Sequence, residues 1–169
     1  MMLEHLRRMA RYNAWANQRL YQACAQLAED AYRKQRPAFF GSIHGTLNHL
    51  LIGDRIWLAR IEGQGSPQVR LDDQPCASLA ALREARDVED ARMIDLVDGY
   101  AEDDLGKPVR YRLITRAEDA ETPLHVCWLH LLNHQTHHRG QVHDQLSQTD
   151  VAPPPLDLIL YLRQTGDPQ

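Results

Sequence analysis

The segment 124–145 constrains the fold more than any other part of the chain. Leu124, Cys127, Leu131, His134, His138, Gln141 and Gln145 follow an unbroken 3-4 spacing, the period of one face of an α-helix. A helix whose inner stripe begins apolar and ends in imidazoles and amides must find partners for those polar groups. An alternative stripe through Cys127, His130, His134, His137, Gln141 and Asp144 buries mostly polar side chains, at a higher desolvation cost. His134 and His138 are therefore the pair expected to face inward. Being four residues apart, they share a face and lie roughly 6 Å apart along the axis.

The same period organises the remaining sequence. Residues 2–29 read as a first helix, with Leu3, Leu6, Ala10, Asn13, Asn17, Leu20, Cys24 and Leu27 on its inner face. Gly41-Ser42 opens a second helix, which runs to about 62 and is stopped by Gly63-Gln-Gly65-Ser-Pro67. Its inner stripe is Ser42, Gly45, His49, Ile52, Ile56 and Ala59. A third helix over 78–100 carries Leu79, Leu82, Met93, Leu96 and Val97 beneath a charged surface.

Between 101 and 120 the helical period fails, and Val109-Arg-Tyr-Arg-Leu-Ile114 alternates for part of its length, as a short strand or extended loop does. Thr122-Pro123 is expected to start the fourth helix, with threonine as the cap. Pro153-Pro154-Pro155 is a stiff lead into a short apolar helix near 156–164. The expectation is an all-α fold in one domain over 1–169. It is an up-down four-helix bundle with a long crossover before the fourth helix and a short C-terminal helix.

Composition excludes several functions. Charged residues make up 25% and the formal net charge is -4, so the chain lacks the basic footprint of a nucleic-acid binder. Acids interleave with the arginines, which leaves no polybasic membrane patch. No apolar run is long enough for a membrane span, and the first residues lack the apolar core of a secretory signal. Cys24, Cys76 and Cys127 are odd in number and widely spaced; they read as core thiols of a cytoplasmic protein.

Nine histidines are the unusual feature. His49 lies in an apolar stripe, and a lone histidine there is ordinarily a hydrogen-bonded core residue. Facing an inward His134/His138 pair, it becomes the natural third ligand of a metal ion. Three buried imidazoles with nothing between them leave donors and acceptors unmatched, whereas one divalent ion resolves all three. Asn13 and Asn17 either support such a site from behind, contact a substrate, or simply bond helix to helix. The tryptophans and Tyr12 and Tyr21 read as packing groups, and Arg139 as a solvated charge. Asp54 and Asp144 neighbour the histidines in sequence but are expected to point elsewhere, so no catalytic acid or base is assigned. P-loop, nucleophile-elbow, dinucleotide and HExxH motifs are missing from the sequence.

Three segments carry a family resemblance: Tyr12-Asn-Ala-Trp-Ala-Asn17, Thr46-Leu-Asn-His49-Leu-Leu-Ile-Gly-Asp-Arg-Ile-Trp57, and Asn133-His134-Gln-Thr-His-His138-Arg-Gly-Gln141. With these the chain resembles the DinB family of helical-bundle metalloproteins. The resemblance implies a divalent metal held by His49, His134 and His138, the same three residues that the helical period selects. It also implies a homodimer. Relatives in such a family include metal-dependent thiol transferases and a thiol-dependent isomerase.

The expected function is a metal-dependent enzyme, either a hydrolase or a low-molecular-weight thiol transferase, acting on a small molecule. Three neutral imidazoles with one open position suit zinc or nickel first, and also iron, copper or manganese. The rival from another class is a non-enzymatic metal-binding bundle in stress response or sensing.

Overall fold

The computed structural model describes residues 1–114, 116 and 118–166; positions 115, 117 and 167–169 of the expected unit lie outside the described residues. The elements run α1 (Met2–Cys24), α2 (Glu29–Arg33), α3 (Ile43–Ile61), α4 (Leu79–Asp98), β1 (Pro108–Arg112), β2 (Asp119–Pro123), α5 (Leu124–Ser147) and α6 (Leu158–Thr165). The all-α fold expected from the sequence is what forms, with β1 and β2 as an antiparallel two-stranded ribbon from Pro108↔Pro123 to Arg112↔Asp119.

The bundle is a ring of α1, α4, α3 and α5. Its directions follow from side-chain pairs. Arg11 meets Asp98 while Asn17 meets Asp90, so α1 and α4 are antiparallel. Thr46 meets Gln145 and Asp54 meets Gln135, so α3 and α5 are antiparallel. Asp54 meets Arg86 and Glu62 meets Arg92, so α3 and α4 run the same way. That parallel pair is why residues 62–78 form a second long connection, besides the expected one before α5. Among the described residues no helix is long and apolar enough to cross a membrane.

Helix boundaries follow local chemistry. Ser42 and Ser78 cap α3 and α4, accepting from the Gly45 and Ala81 amides at 3.0 and 3.2 Å. The first helix is shorter than its periodicity suggested. Tightening bonds from Gln26 N to Ala23 O and from Leu27 N to Cys24 O close it at Cys24, and the chain turns into α2, which buries Tyr32.

The start of the fourth bundle helix also differs from the Thr122 cap. Thr122 and Pro123 belong to β2, and the leading amides of α5 bond to the other strand's approach: Leu124 N to Lys107 O and His125 N to Leu105 O. The ribbon does the capping that a threonine side chain was expected to do.

Two apolar clusters fill the ring. One gathers Leu3, Leu6, Leu58, Met93, Val97, Trp128 and Leu131; the other gathers Leu20, Cys24, Leu47, Leu82, Val142 and Leu146. Between them lies a buried polar layer to which every bundle helix contributes. The Asp54 carboxylate accepts from Arg86 and Gln135. Arg86 is also 3.1 Å from Asp90, which accepts from Asn13 at 2.9 Å and Asn17 at 3.1 Å. Arg139 donates to Asn13, Asn17 and Gln135, closing the circuit. Two carboxylates against two guanidiniums leave the layer neutral, the condition under which buried charge is tolerated.

Candidate metal centre

Helix α3 is buried on nearly every side, and its stripe Gly45, His49, Gly53 places a glycine one turn before and one turn after the histidine. Each glycine admits a neighbour. A Cβ at Gly45 would collide with the Phe40 carbonyl, and one at Gly53 would lie 2.6 Å from His134 Cε1. Gly45 lies in the first turn, but Gly53 is mid-helix, where glycine costs about 1 kcal/mol relative to alanine; both are kept by close contacts. The first lets Phe40 lie flat on His49, with ring centroids 3.8 Å apart. The second lets the His134 ring reach His49.

The three expected histidines converge. One ligand-capable atom from each of His49, His134 and His138 lies within 4.8 Å of the others, and no cysteine or carboxylate among the described residues joins the group. His49 Nε2 and His134 Nε2 are 3.2 Å apart. Two nitrogens on one tetrahedral ion, each about 2.0–2.1 Å from it, stand roughly 3.3 Å apart. His138 packs edge-on against both rings, at centroid distances of 4.5 and 4.3 Å.

Neighbouring groups hold these rings and keep them uncharged. His49 Nδ1 is 2.9 Å from the Leu71 carbonyl, which turns its Nε2 lone pair to the cluster. Burial lowers the pKa of His49, lowers that of His134 to about 3, and lowers that of His138 to about 4; the other imidazoles add to the effect on His134 and His138. Neutral imidazole is the form a metal takes.

His134 Nδ1 is buried without a hydrogen-bond partner. His138 Nδ1 lies 2.8 Å from Gln141 Oε1, so two of the three rings are anchored from behind. With their ring nitrogens crowded together, the donor set fits a divalent cation at its centre better than it fits itself.

Asn13 and Asn17 bond to Asp90 and Arg139 and to none of the three histidines. Of their three readings, these contacts are those of the helix-to-helix bond. Arg139 corrects the reading of a solvated charge: it is 2% exposed, because its guanidinium donates to the asparagine oxygens inside the polar layer. Asp54 points into that layer, where burial raises its pKa to about 6 against the pull of Arg86 and Gln135. Asp144 is exposed.

Sequence reasoning missed Gly53, Phe40 and the Gln135/Arg139 pair. Only Gly53 leaves a signal in the sequence, as an unexplained glycine inside an apolar helix.

Comparisons with known proteins agree on one relationship. The model of the DinB family matches residues 2–169. Protein DinB of Bacillus subtilis (strain 168) is 28% identical over 162 residues, covering 91% of each chain. The crystal structure of a DinB-like protein from Bacillus cereus ATCC 10987 superposes with a TM-score of 0.63 at 15% identity, covering 85% of this chain and 90% of that one. At that identity the superposition speaks for the fold.

Proposed function

This chain belongs to the DinB family, and we propose that it is a metal-dependent enzyme whose His49, His134 and His138 hold one divalent ion with a coordination position left open. The observation that carries the proposal is the convergence of three neutral imidazoles from α3 and α5 with no fourth protein ligand among the described residues. Closed structural sites complete four protein ligands; catalytic ones stop at three. Zinc or nickel fits the all-nitrogen set first, with iron, copper or manganese as further candidates.

A bound ion supplies Lewis acidity that lowers the pKa of a water or a small thiol, the chemistry of a hydrolase or a thiol transferase. The protein's own part is orientation. The Leu71 carbonyl fixes His49, Gly53 gives His134 its place, and Phe40 shields one face of His49 from water. A small-molecule substrate, a cytoplasmic setting and a homodimer complete the proposal. The free, buried thiols Cys24, Cys76 and Cys127 suit a reducing compartment.

Elemental analysis of the purified protein and of His138→Ala tests the ligand set. One divalent ion per chain in the wild type and loss in the variant is the expected result. Equal metal content in both overturns it. Full metal loading without turnover of thiol-acceptor or hydrolysable substrates favours a binding bundle over an enzyme.

A further inference from the structure

A carboxamide accepts at one end and donates at the other, so where it touches an imidazole it selects which ring nitrogen carries the proton. Gln141 stands in that position. Its Oε1 is 2.8 Å from His138 Nδ1, and its Nε2 is 3.2 Å from His137 Nε2. With the oxygen toward His138, Nδ1 must carry the proton and Nε2 keeps its lone pair. With the amide reversed, the NH2 group would face Nδ1 and the proton would move to Nε2, closing the nitrogen that His138 offers to His49 and His134. In the orientation found, the NH2 end lies on His137 Nε2, and with the His137 proton on Nδ1 that nitrogen accepts from it and holds the oxygen on His138.

We propose that Gln141, oriented by His137, is a positioning residue that keeps His138 in the tautomer able to ligate a metal. The inference rests on the metal-site reading and adds a device behind its third ligand. The three rings are then held by three different means. His49 is fixed by a backbone carbonyl and His138 by a two-residue side-chain relay. His134 has no hydrogen bond at Nδ1 and is fixed by the space that Gly53 leaves. A backbone carbonyl cannot reverse, but an amide can, so the relay is the part of the cluster that a point substitution disturbs without moving the helix. Both relay residues lie on α5 within four positions of each other, the spacing at which helical side chains meet.

The test uses the full chain and two readouts. Long-range 1H–15N correlation spectra of the metal-free protein at neutral pH report which nitrogen of His138 is protonated. Competition with a chromophoric zinc chelator reports affinity. The wild type should show a protonated Nδ1.

Gln141→Leu, of similar size but unable to accept, should show mixed tautomers and bind zinc about 10- to 100-fold more weakly, the usual effect of losing a hydrogen-bond partner behind a ligand. Gln141→Glu, which accepts from His138 whichever oxygen faces it, should restore the tautomer and most of the affinity. His137→Leu, at an exposed position, should give a smaller loss and the same mixing of tautomers; it decides the matter if Gln141→Leu fails to fold. An unchanged His138 tautomer and unchanged affinity in Gln141→Leu or in a folded His137→Leu overturns the inference. A wild type that binds no zinc while its His138 still responds to Gln141→Leu overturns the metal reading instead, so the two failures are distinct.

Discussion

Gly53 and His134 meet across the α3–α5 interface with no room for a methyl group between them: a Cβ on residue 53 would lie 2.6 Å from His134 Cε1. Gly53→Ala should displace the imidazole and weaken zinc binding at least tenfold, measured by chelator competition. Gly140 is the control. It lies on the exposed side of α5 with no heavy atom within 4 Å of an added Cβ. Gly140→Ala should leave affinity unchanged and raise stability by about 0.5–1 kcal/mol through helix propensity.

Arg86 is the hinge of the polar layer, bonded to Asp54 and 3.1 Å from Asp90. Burial alone lowers its pKa, but the two carboxylates outweigh that and hold it firmly protonated. Arg86→Met leaves both acids buried without their cation and should cost about 3–5 kcal/mol in urea unfolding. Asp54→Asn keeps an oxygen for Gln135 and leaves Arg86 with Asp90, so its cost should be clearly smaller. Equal costs would show that the layer does not act as a charge-balanced unit.

Acid should destabilise the metal-free protein through its histidines. Folding lowers His134 to about 3 and His138 to about 4, against 6.5 in the unfolded chain. Their contribution is complete above about pH 6.5 and is lost as pH falls through the folded values. Asp54 works the other way: raised to about 6, it takes up its proton in the folded state first and gains stability as pH drops. The discriminating measurement is therefore a difference. Between pH 7 and 5, Tm of the chelator-treated wild type should fall more steeply than Tm of His134→Gln, whose amide does not titrate there.

Metal should stabilise the fold in proportion to its binding. At a free concentration 100 times Kd, linkage gives about 2.7 kcal/mol, or roughly 5–10 °C in Tm for a domain of this size. Zinc or nickel should produce that shift, EDTA should reverse it, and His49→Ala should abolish it. A shift that survives His49→Ala would place the ion elsewhere.

The sequence disclosed this fold where period alone decides. Leu124, Cys127 and Leu131 set the phase of α5, and that phase carried His138 into the interior and His134 to its edge. Facing His49, they form the cluster that the spacing implied. What stayed hidden depends on partners distant in sequence. Arg139 looks like a surface charge until Asn13 and Asn17, more than a hundred residues away, supply its acceptors. Thr122 looks like a helix cap until β1 claims it for a ribbon. Periodicity reports which face is inside; it carries no information on which buried polar groups will answer one another.

The polar layer between the two apolar clusters governs alignment along the bundle axis. Sliding any helix by one turn, about 5.4 Å, would drive Arg86 or Arg139 into leucine and strand Asp54 or Asp90 without a counter-charge. Gln135 and Arg139 each follow a cluster histidine directly in α5, so their bonds to Asp54 and Asn13, which stop α5 from slipping, also set how far His134 and His138 stand along α3. Precision at the three rings is thus inherited from a lock on the adjoining face of the same helix, and substitutions there should blunt the centre without touching it.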